Sequence, residues 1–204
     1  MFVCVQRAYV IGKAVGAEVV TVDQSDEETT LHTKVETAVG IDGERFARGQ
    51  LRSYMRTPVA YFAAQLMAQS GLPTIVLGTG NFDEDGYLCY FCKAGDGVVD
   101  VQLMADLHKS EVFMVGRELN VPSSILEAAP SADLWPGQTD EEELGMPYTF
   151  IEVFTEWMKM PEDEQEELLK DFSPEAKEQW DSMAEEARSI HRRNRHKLNF
   201  PVNL

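Results

Sequence analysis

The chain has 204 residues, of which 44% are hydrophobic and 9% aromatic, so it suits one globular domain rather than a disordered segment. Lysine and arginine number 18 against 35 aspartate and glutamate residues, and the formal net charge of −17 disfavours non-specific binding to nucleic acid. No apolar run reaches transmembrane length, and the first residues lack the pattern of a signal peptide. We therefore expect a soluble, cytoplasmic protein that does not bind membranes.

The first third of the chain is predicted to begin inside an α/β unit. The segment RAYVIGKAV (residues 7–15) is typical of the end of a helix. GAEVVTVDQ (residues 16–24) is typical of a strand, because a β-branched run follows a glycine. The polar stretch over residues 25–50 is predicted to be mostly loop. A helix is then expected from Pro58, with Thr57 as its cap.

Two apolar segments in the middle of the chain are predicted to be parallel strands. LPTIVLG (residues 72–78) is short and uniformly apolar, which is the pattern of a strand buried on both faces. VVDVQLMADL (residues 98–107) follows a glycine-rich loop, and HKSEVFMVGREL (residues 108–119) has the apolar spacing of a helix. This alternation predicts an α/β protein with an open parallel sheet flanked by helices.

The last third of the chain is predicted to be helical. Thr139 and Glu142 have the spacing of a capping box, and an apolar stripe runs through residues 148–158. Ser173 and Pro174 suit the cap and the first turn of a final helix that ends in basic residues. Three cysteines, with no histidines at matching spacing, favour packed thiols over a zinc site.

The residues with chemical potential are concentrated in GTGNFDEDGYLCYFCKAGDG (residues 78–97). Ligands of parallel α/β sheets bind beyond the carboxyl ends of the strands, which is where this loop falls. Its acids at residues 83–85 suit a magnesium ion, which takes one or two carboxylates and completes its shell with substrate phosphates. A solvated acidic turn is the alternative. Lys93 and Lys109 favour the first interpretation, because phosphoryl or adenylyl chemistry needs cations nearby.

The segments GTGNFDEDGYLCYFCKAGDGVVDVQLMADLHKSEV and PSADLWPGQTDEEELG closely resemble NAD synthetase, a family of ATP-dependent amidating enzymes with an adenine nucleotide alpha hydrolase-like fold. The resemblance extends from about residue 16 to the C-terminal RHK. It implies that ATP adenylates the nicotinate carboxylate of deamido-NAD and that ammonia then displaces AMP to give NAD. It also implies a homodimer and a single domain over residues 1–204.

The resemblance implies roles for individual residues. Glu84 would bind Mg²⁺ and Lys109 would contact the ATP phosphates, and both would act in catalysis. Thr79 and Ser131 would also bind ATP. The residues implied in binding deamido-NAD are Arg56, Lys93, Asp100, His196 and Lys197. Without the resemblance, each has a structural alternative, such as a surface side chain, a turn cap or a complement to a helix dipole.

One departure from the family pattern bears on activity. Family members hold the ATP pyrophosphate with a loop of sequence S-G-G-x-D-S, and no such run occurs in these 204 residues. We therefore expect an N-terminally truncated member that exposes apolar sheet faces and binds deamido-NAD without producing NAD by itself. The alternative function is a non-catalytic remnant, or a partner subunit that pairs with a complete copy. GMP synthetase is disfavoured by PSADL followed by DEEELG, and free ammonia is the expected nitrogen source.

Overall fold

The computed structural model describes residues 2–199, with side chains from Val5 onward, and the chain is mostly helical. The first half contains α1 (Phe2–Val15), α2 (Ser25–Val39), α3 (Arg45–Gln69), β1 (Leu77–Gly78), a π-helix (Phe82–Leu88) and β2 (Val101–Gln102). The second half contains α4 (Lys109–Glu118), α5 (Ser123–Leu126), α6 (Asp140–Leu144), α7 (Tyr148–Trp157), α8 (Glu162–Lys170), α9 (Pro174–Asn194) and a final 3₁₀ turn (Arg195–Leu198).

The predicted parallel pairing is confirmed. β1 and β2 are parallel, with Leu77 opposite Val101 and Gly78 opposite Gln102. The prediction that the first strand is buried on both faces was wrong, since Leu77 is 51% exposed and Ile75 is 59% exposed. The described part of the chain leaves more than half of the surface of these two residues exposed, so apolar character alone does not bury them.

Two predictions for the N-terminal region were wrong. Residues 17–24 form no strand, because they pair with no neighbouring strand among the described residues, and Val20 is 77% exposed. Residues 25–39 form a helix rather than a loop. Along this helix the hydroxyls of Thr29, Thr33 and Thr37 each donate to the carbonyl four residues earlier, so its polar side chains remain compatible with a helix. The expected helix end before residue 16 is confirmed.

The helix expected from Pro58 instead begins at Arg45 and continues through the proline. A proline inside a helix removes one backbone donor, which a 25-residue helix tolerates here. Thr57 does not cap the helix. Its hydroxyl donates to the carbonyls of Ala94 (2.7 Å) and Gly95 (3.1 Å). These bonds connect α3 to the glycine-rich loop that contains Gly95 and Gly97.

The hydrophobic core lies between the π-helix and two C-terminal helices, α7 and α9. Phe154 and Ile151 of α7 and Leu88 of the π-helix are fully buried, and Trp180 of α9 packs edge-on against Phe154 at 6.1 Å. The predicted cap of α9 is confirmed, since the Ser173 hydroxyl accepts from the backbone of Ala176. The predicted capping box at Thr139 does not form. None of the described helices is both long enough and apolar enough to cross a membrane.

Replacing Phe154 by alanine is expected to lower the free energy of unfolding by about 3–5 kcal/mol, because a fully buried ring leaves a cavity. Val153 is adjacent on the same helix but 58% exposed, so Val153→Ala is the matched control, with an expected change within about 0.5 kcal/mol. Urea denaturation of both variants measures the difference. Similar losses in the two variants would contradict this location of the core.

Candidate active site

The π-helix begins shortly after β1 and carries three acidic residues. The side chain of Asn81 caps its first turn, because Oδ1 accepts from the backbone N–H groups of Asp83 (3.1 Å) and Glu84 (3.2 Å). The backbone N–H of Phe82 donates to the carbonyl of Leu107 at 2.8 Å, which ties the start of the π-helix to the segment before α4. The acids therefore lie at the carboxyl end of β1, as the sequence predicted.

Asp85 folds back onto the end of the strand. A Cβ at Gly80 would lie 1.7 Å from Asp85 Oδ2, so this close approach requires glycine. The backbone N–H of Gly80 also donates to Gln102 Oε1 at 3.2 Å, which joins the loop to β2. Burial, together with the charges of Asp96 and Glu84, raises the pKa of Asp85 to about 7. The Asp85 carboxyl is thus poised to change its charge near neutral pH.

Glu84 forms the central charge pair of the site with Lys109, the first residue of α4. Lys109 Nζ donates to Glu84 Oε1 at 2.6 Å, and the Tyr148 hydroxyl donates to the same oxygen at 2.5 Å. The side chains of Glu84 and Lys109 are only 19% and 20% exposed. Burial alone raises the pKa of Glu84, but the Lys109 ammonium and these hydrogen bonds outweigh it, so the pKa lies below its ordinary value.

Tyr148 connects Glu84 to a second buried carboxyl, Asp140. The Tyr148 hydroxyl lies 3.0 Å from Asp140 Oδ2, and burial between the two acids raises the pKa of Tyr148 far above its ordinary value. Burial, with the charge of Glu84, also raises the pKa of Asp140. Asp140 Oδ1 is buried and has no hydrogen-bond partner among the described residues, which is uncommon for a carboxylate.

A second network of charged side chains lies beside the first and extends from Asp83 through His108 to Glu156. The fully buried Asp83 lies 2.7 Å from His108 Nδ1 and accepts from the backbone N–H of Lys109 at 2.6 Å. His108 Nε2 lies 2.8 Å from Glu156, which also pairs with Lys159. Burial raises the pKa of Asp83 above its ordinary value, and the hydrogen bonds from Lys109 and His108 offset only part of this increase. This network fixes the backbone of Lys109, the first residue of α4.

A cavity of about 290 Å³ lies between α3, the loop after the π-helix and α9. Three cations line it, Arg56, Arg193 and Lys197, and they are opposed by Asp96 and Glu143. Aromatic side chains complete much of the lining: Phe46, Tyr90, Phe91 and Trp135. Two residues predicted to bind deamido-NAD, Arg56 and Lys197, therefore lie at the same cavity, which offers both apolar surface and positive charge.

Lys93 and Lys197 connect residues 89–93 with the C-terminal 3₁₀ turn. Each lysine donates to backbone carbonyls of the other segment. Lys93 Nζ donates to the carbonyl of His196 at 3.4 Å. Lys197 Nζ donates to the carbonyls of Cys89 (3.1 Å) and Phe91 (2.8 Å). The structure thus brings together three residues that the sequence assigned to one ligand, Lys93, His196 and Lys197.

Asp100 lies immediately before β2 and holds the sheet to α3. Its Oδ2 accepts from the backbone N–H of Val76 at 2.7 Å, and its Oδ1 accepts from the Tyr61 hydroxyl at 3.3 Å. Asp100 therefore has a structural role at the strand pair, beside the binding role that the family resemblance implies. The described contacts do not join Asp100 directly to Arg56 or Lys93.

Two of the three residues assigned to ATP, Thr79 and Ser131, lie on loops. Thr79 is exposed between β1 and the π-helix. The Ser131 hydroxyl donates to the carbonyl of Gln138 at 2.7 Å and accepts from the backbone N–H of Asp133 at 3.0 Å, so it also shapes its own loop. No described contact joins either residue to Glu84 or Lys109.

Sequence reasoning missed several residues that complete the site. Tyr148, Asp140 and His108 were not selected, although they hold Glu84 and Asp83 in place. Two of them are sequence neighbours of residues that the sequence analysis did name. His108 precedes Lys109, and Asp140 follows the predicted cap Thr139. Tyr148 had no local signal, because it lies 64 residues from Glu84 in sequence.

The NAD synthase family model matches residues 4–201. The chain belongs to the NAD synthase family. An NH(3)-dependent NAD(+) synthetase from Alkaliphilus oremlandii is 36% identical over 164 residues, which cover 78% of this chain and 63% of that relative. The chain thus spans less than two thirds of the length of this relative.

Solved structures confirm the predicted fold of this NAD synthase family member. The structure of NMN synthetase from Francisella tularensis superposes with a TM-score of 0.76 and 29% identity, covering 98% of this chain and 71% of that one. An NH3-dependent NAD synthetase from Campylobacter jejuni gives a TM-score of 0.68 at 16% identity, covering 95% of this chain and 68% of that one. The second likeness bears on the fold alone.

His108 of this NAD synthase family member is expected to remain protonated above pH 6.5. Burial alone lowers its pKa, but the hydrogen bonds with Asp83 and Glu156 outweigh it and raise the pKa above 6.5. The stability that the charged ring contributes is therefore present below pH 6.5 and is lost as the pH rises through the raised value. Titration of the imidazole by NMR measures this pKa.

Two variants test the cause of this shift. Glu156→Gln is expected to lower the pKa of His108, because the substitution removes one of its two charged partners. Glu118→Gln, at the exposed end of the same α4 helix, is the control and is expected to leave the pKa unchanged. A wild-type His108 that titrates at or below pH 6.5 would show that burial dominates.

Proposed function

We propose that the protein catalyses the ATP-dependent amidation of deamido-NAD to NAD, with ammonia as the nitrogen donor. The observation that carries the proposal is the partly buried Glu84–Lys109 pair, which lies at the carboxyl end of a parallel strand in a member of the NAD synthase family. The proposal concerns the whole protein, because the relatives extend beyond this chain and the S-G-G-x-D-S loop of the family pattern does not occur in these 204 residues. A cytoplasmic homodimer is part of the same proposal.

The proposed reaction has two steps. A nicotinate carboxylate oxygen of deamido-NAD attacks the α-phosphorus of ATP, and pyrophosphate leaves. Ammonia then attacks the acyl carbon, AMP leaves and one proton is released. Lys109 would offset charge on the phosphates, and Thr79 would donate a hydroxyl hydrogen bond to ATP. The Ser131 hydroxyl, which donates to the Gln138 carbonyl in this structure, would have to turn to ATP to do the same. The chain would thus act chiefly by orienting the reactants and compensating their charge.

The residues at the proposed nucleotide site fit a magnesium ion. Lys109 and Tyr148 both donate to Oε1 of the Glu84 carboxylate, so Oε2 could serve as a hard oxygen ligand, and the buried Oδ1 of Asp140 has no partner among the described residues. Within residues 2–199 no cluster of three or more acidic, histidine or cysteine side chains could hold a metal by itself. Mg²⁺ takes one or two protein carboxylates, completes its shell with substrate phosphates and would offset their charge when bound.

The cavity is the proposed site for the nicotinate side of deamido-NAD. In a chain of net charge −17, three cations against two acids at one cavity leave a small local excess of positive charge, which suits an anionic ligand. The aromatic lining suits a ring. Arg56 and Lys197 line this cavity and Lys93 contacts the turn that carries Lys197, which supports their assignment to deamido-NAD. Asp100 and His196 are assigned to the same ligand on the family pattern.

A second candidate substrate is the deamidated mononucleotide, nicotinate mononucleotide. The observation in its favour is the likeness to a Francisella tularensis NMN synthetase, which covers 98% of this chain. The chemistry at the carboxylate is the same for both substrates, so only the size of the ligand beyond the first phosphate differs. The two candidates are therefore distinguished by specificity alone.

The proposed function is tested by measuring product formation by the purified protein with ATP, Mg²⁺ and ammonia. Parallel reactions contain either deamido-NAD or nicotinate mononucleotide, and chromatography follows AMP together with NAD or NMN. Equimolar AMP and NAD support the first candidate, and preferential NMN formation supports the second. Binding of deamido-NAD with no product from either substrate would overturn the proposed activity and favour the non-catalytic partner.

Lys109→Ala is expected to weaken ATP binding, and Lys93→Ala to weaken deamido-NAD binding. A charge-assisted hydrogen bond contributes about 1.5–3 kcal/mol, so each dissociation constant should rise by roughly tenfold to a hundredfold for one ligand only. Calorimetric titration of each variant with each ligand measures the effects. Lys177→Ala, an exposed lysine on α9, is the control. Loss of deamido-NAD affinity alone in Lys109→Ala would contradict the assignment.

A further inference from the structure

Helix α9 makes a series of side-chain bonds to the carboxyl end of the π-helix. His191 Nδ1 lies 2.6 Å from the carbonyl oxygen of Tyr87, and Asn194 Nδ2 donates to the carbonyl of Leu88 at 3.4 Å. Lys197, three residues further along, donates to the next carbonyl, that of Cys89. Positions 191, 194 and 197 share one face of the helical segment, so one face of α9 and its final turn binds three consecutive carbonyls.

These carbonyls need partners from outside the π-helix. The last carbonyls of a helix have no donor within it, and the bonds of a π-helix reach five residues ahead, which leaves the final turn without internal partners. Leu88 and Cys89 are fully buried, so water does not readily replace a lost donor. The ring of His191 also stacks on Tyr87, with centroids 4.7 Å apart and planes 9° from parallel.

The same end of the π-helix is bonded directly to Glu84. The carbonyl of Glu84 accepts from the backbone N–H groups of both Cys89 and Tyr90. The side chain of Asn81 separately caps the start of the π-helix. Glu84 therefore lies between a start that Asn81 holds and an end that α9 holds. Displacement of residues 87–90 would therefore move the backbone that carries the Glu84 carboxylate.

We propose that His191 and Asn194 are positioning residues, which fix the carboxyl end of the π-helix and thereby aim Glu84 at the magnesium–nucleotide site. The inference rests on the proposed function for the role of Glu84. The contact of α9 with the π-helix carbonyls does not depend on it. His191 donates through Nδ1, because a carbonyl oxygen can only accept. His191 does not line the cavity assigned to deamido-NAD, whereas Asn194 does, so the kinetic test below uses His191 alone.

Three substitutions at position 191 separate the donor from the bulk of the side chain. His191→Leu removes the donor. His191→Asn retains an N–H close to the position of Nδ1, whereas His191→Gln moves the amide toward the position of Nε2. Arg192→Leu is the matched control, since Arg192 is exposed and pairs only with Glu185 in the described structure. Asn194→Asp keeps the shape of Asn194 and replaces its donor by an acceptor.

The first measurement is amide hydrogen exchange over residues 82–90, which needs no catalytic activity. His191→Leu is expected to accelerate exchange about tenfold, His191→Gln to resemble it, and His191→Asn to restore most of the protection. Asn194→Asp should accelerate exchange in the same direction, and Arg192→Leu should have no effect. Two results would show that the His191 hydrogen bond does not restrain the π-helix. One is an equal exchange rate in His191→Asn and His191→Leu, and the other is a wild-type exchange rate in His191→Leu.

The second measurement is the magnesium concentration that gives half-maximal NAD formation. His191→Leu is expected to raise it about tenfold while the KM for deamido-NAD stays within twofold, and His191→Asn to recover it. Faster exchange with an unchanged magnesium requirement would assign a purely structural role and overturn the proposal. If the wild-type protein forms no product and gains no exchange protection from Mg²⁺ and ATP, the proposed function fails and this positioning role fails with it. Exchange in the ligand-free protein would then still report on the α9 contact.

Discussion

The pairing of Glu84 with Lys109 is the interaction on which the arrangement of the site depends. Two charges that are only about one fifth exposed need each other, because removing one partner would leave the other charge poorly solvated. Tyr148 shares the same carboxylate oxygen, and His108 and Asp83 fix the start of the helix that begins with Lys109. The π-helix, α4 and α7 are thereby held at one point, at the end of β1.

The core and the site share the same elements. α7 contributes Phe154 to the apolar core and Tyr148 to the charged network, and the π-helix contributes Leu88 to the core and Glu84 to the site. Packing in the C-terminal half therefore sets the geometry of the polar groups. The N-terminal helices differ, since α2 has no buried side chain and apolar residues near the two strands are exposed. Their contribution to the site is mainly the cavity wall that α3 provides.

Local patterns in the sequence predicted much of this, and long-range contacts account for what they missed. The final helix was predicted from Ser173 and Pro174, and both strands from short apolar runs. Helix α2 was missed because its threonines bond back to the helix backbone, and a polar composition suggested a loop. At the site, residue types and family motifs predicted Glu84 and Lys109. Tyr148 has neither a motif nor a neighbour in sequence that would indicate its contact with Glu84.

A double-mutant cycle between Glu84 and Lys109 tests the central claim most directly. Urea unfolding of the wild-type protein, Glu84→Gln, Lys109→Met and the double variant gives the coupling free energy between the two side chains. A directly bonded, largely buried pair predicts a coupling of about 1–3 kcal/mol, with the double variant more stable than the sum of the single effects implies. Effects that add to within about 0.5 kcal/mol would contradict the claim that this pair organises the site.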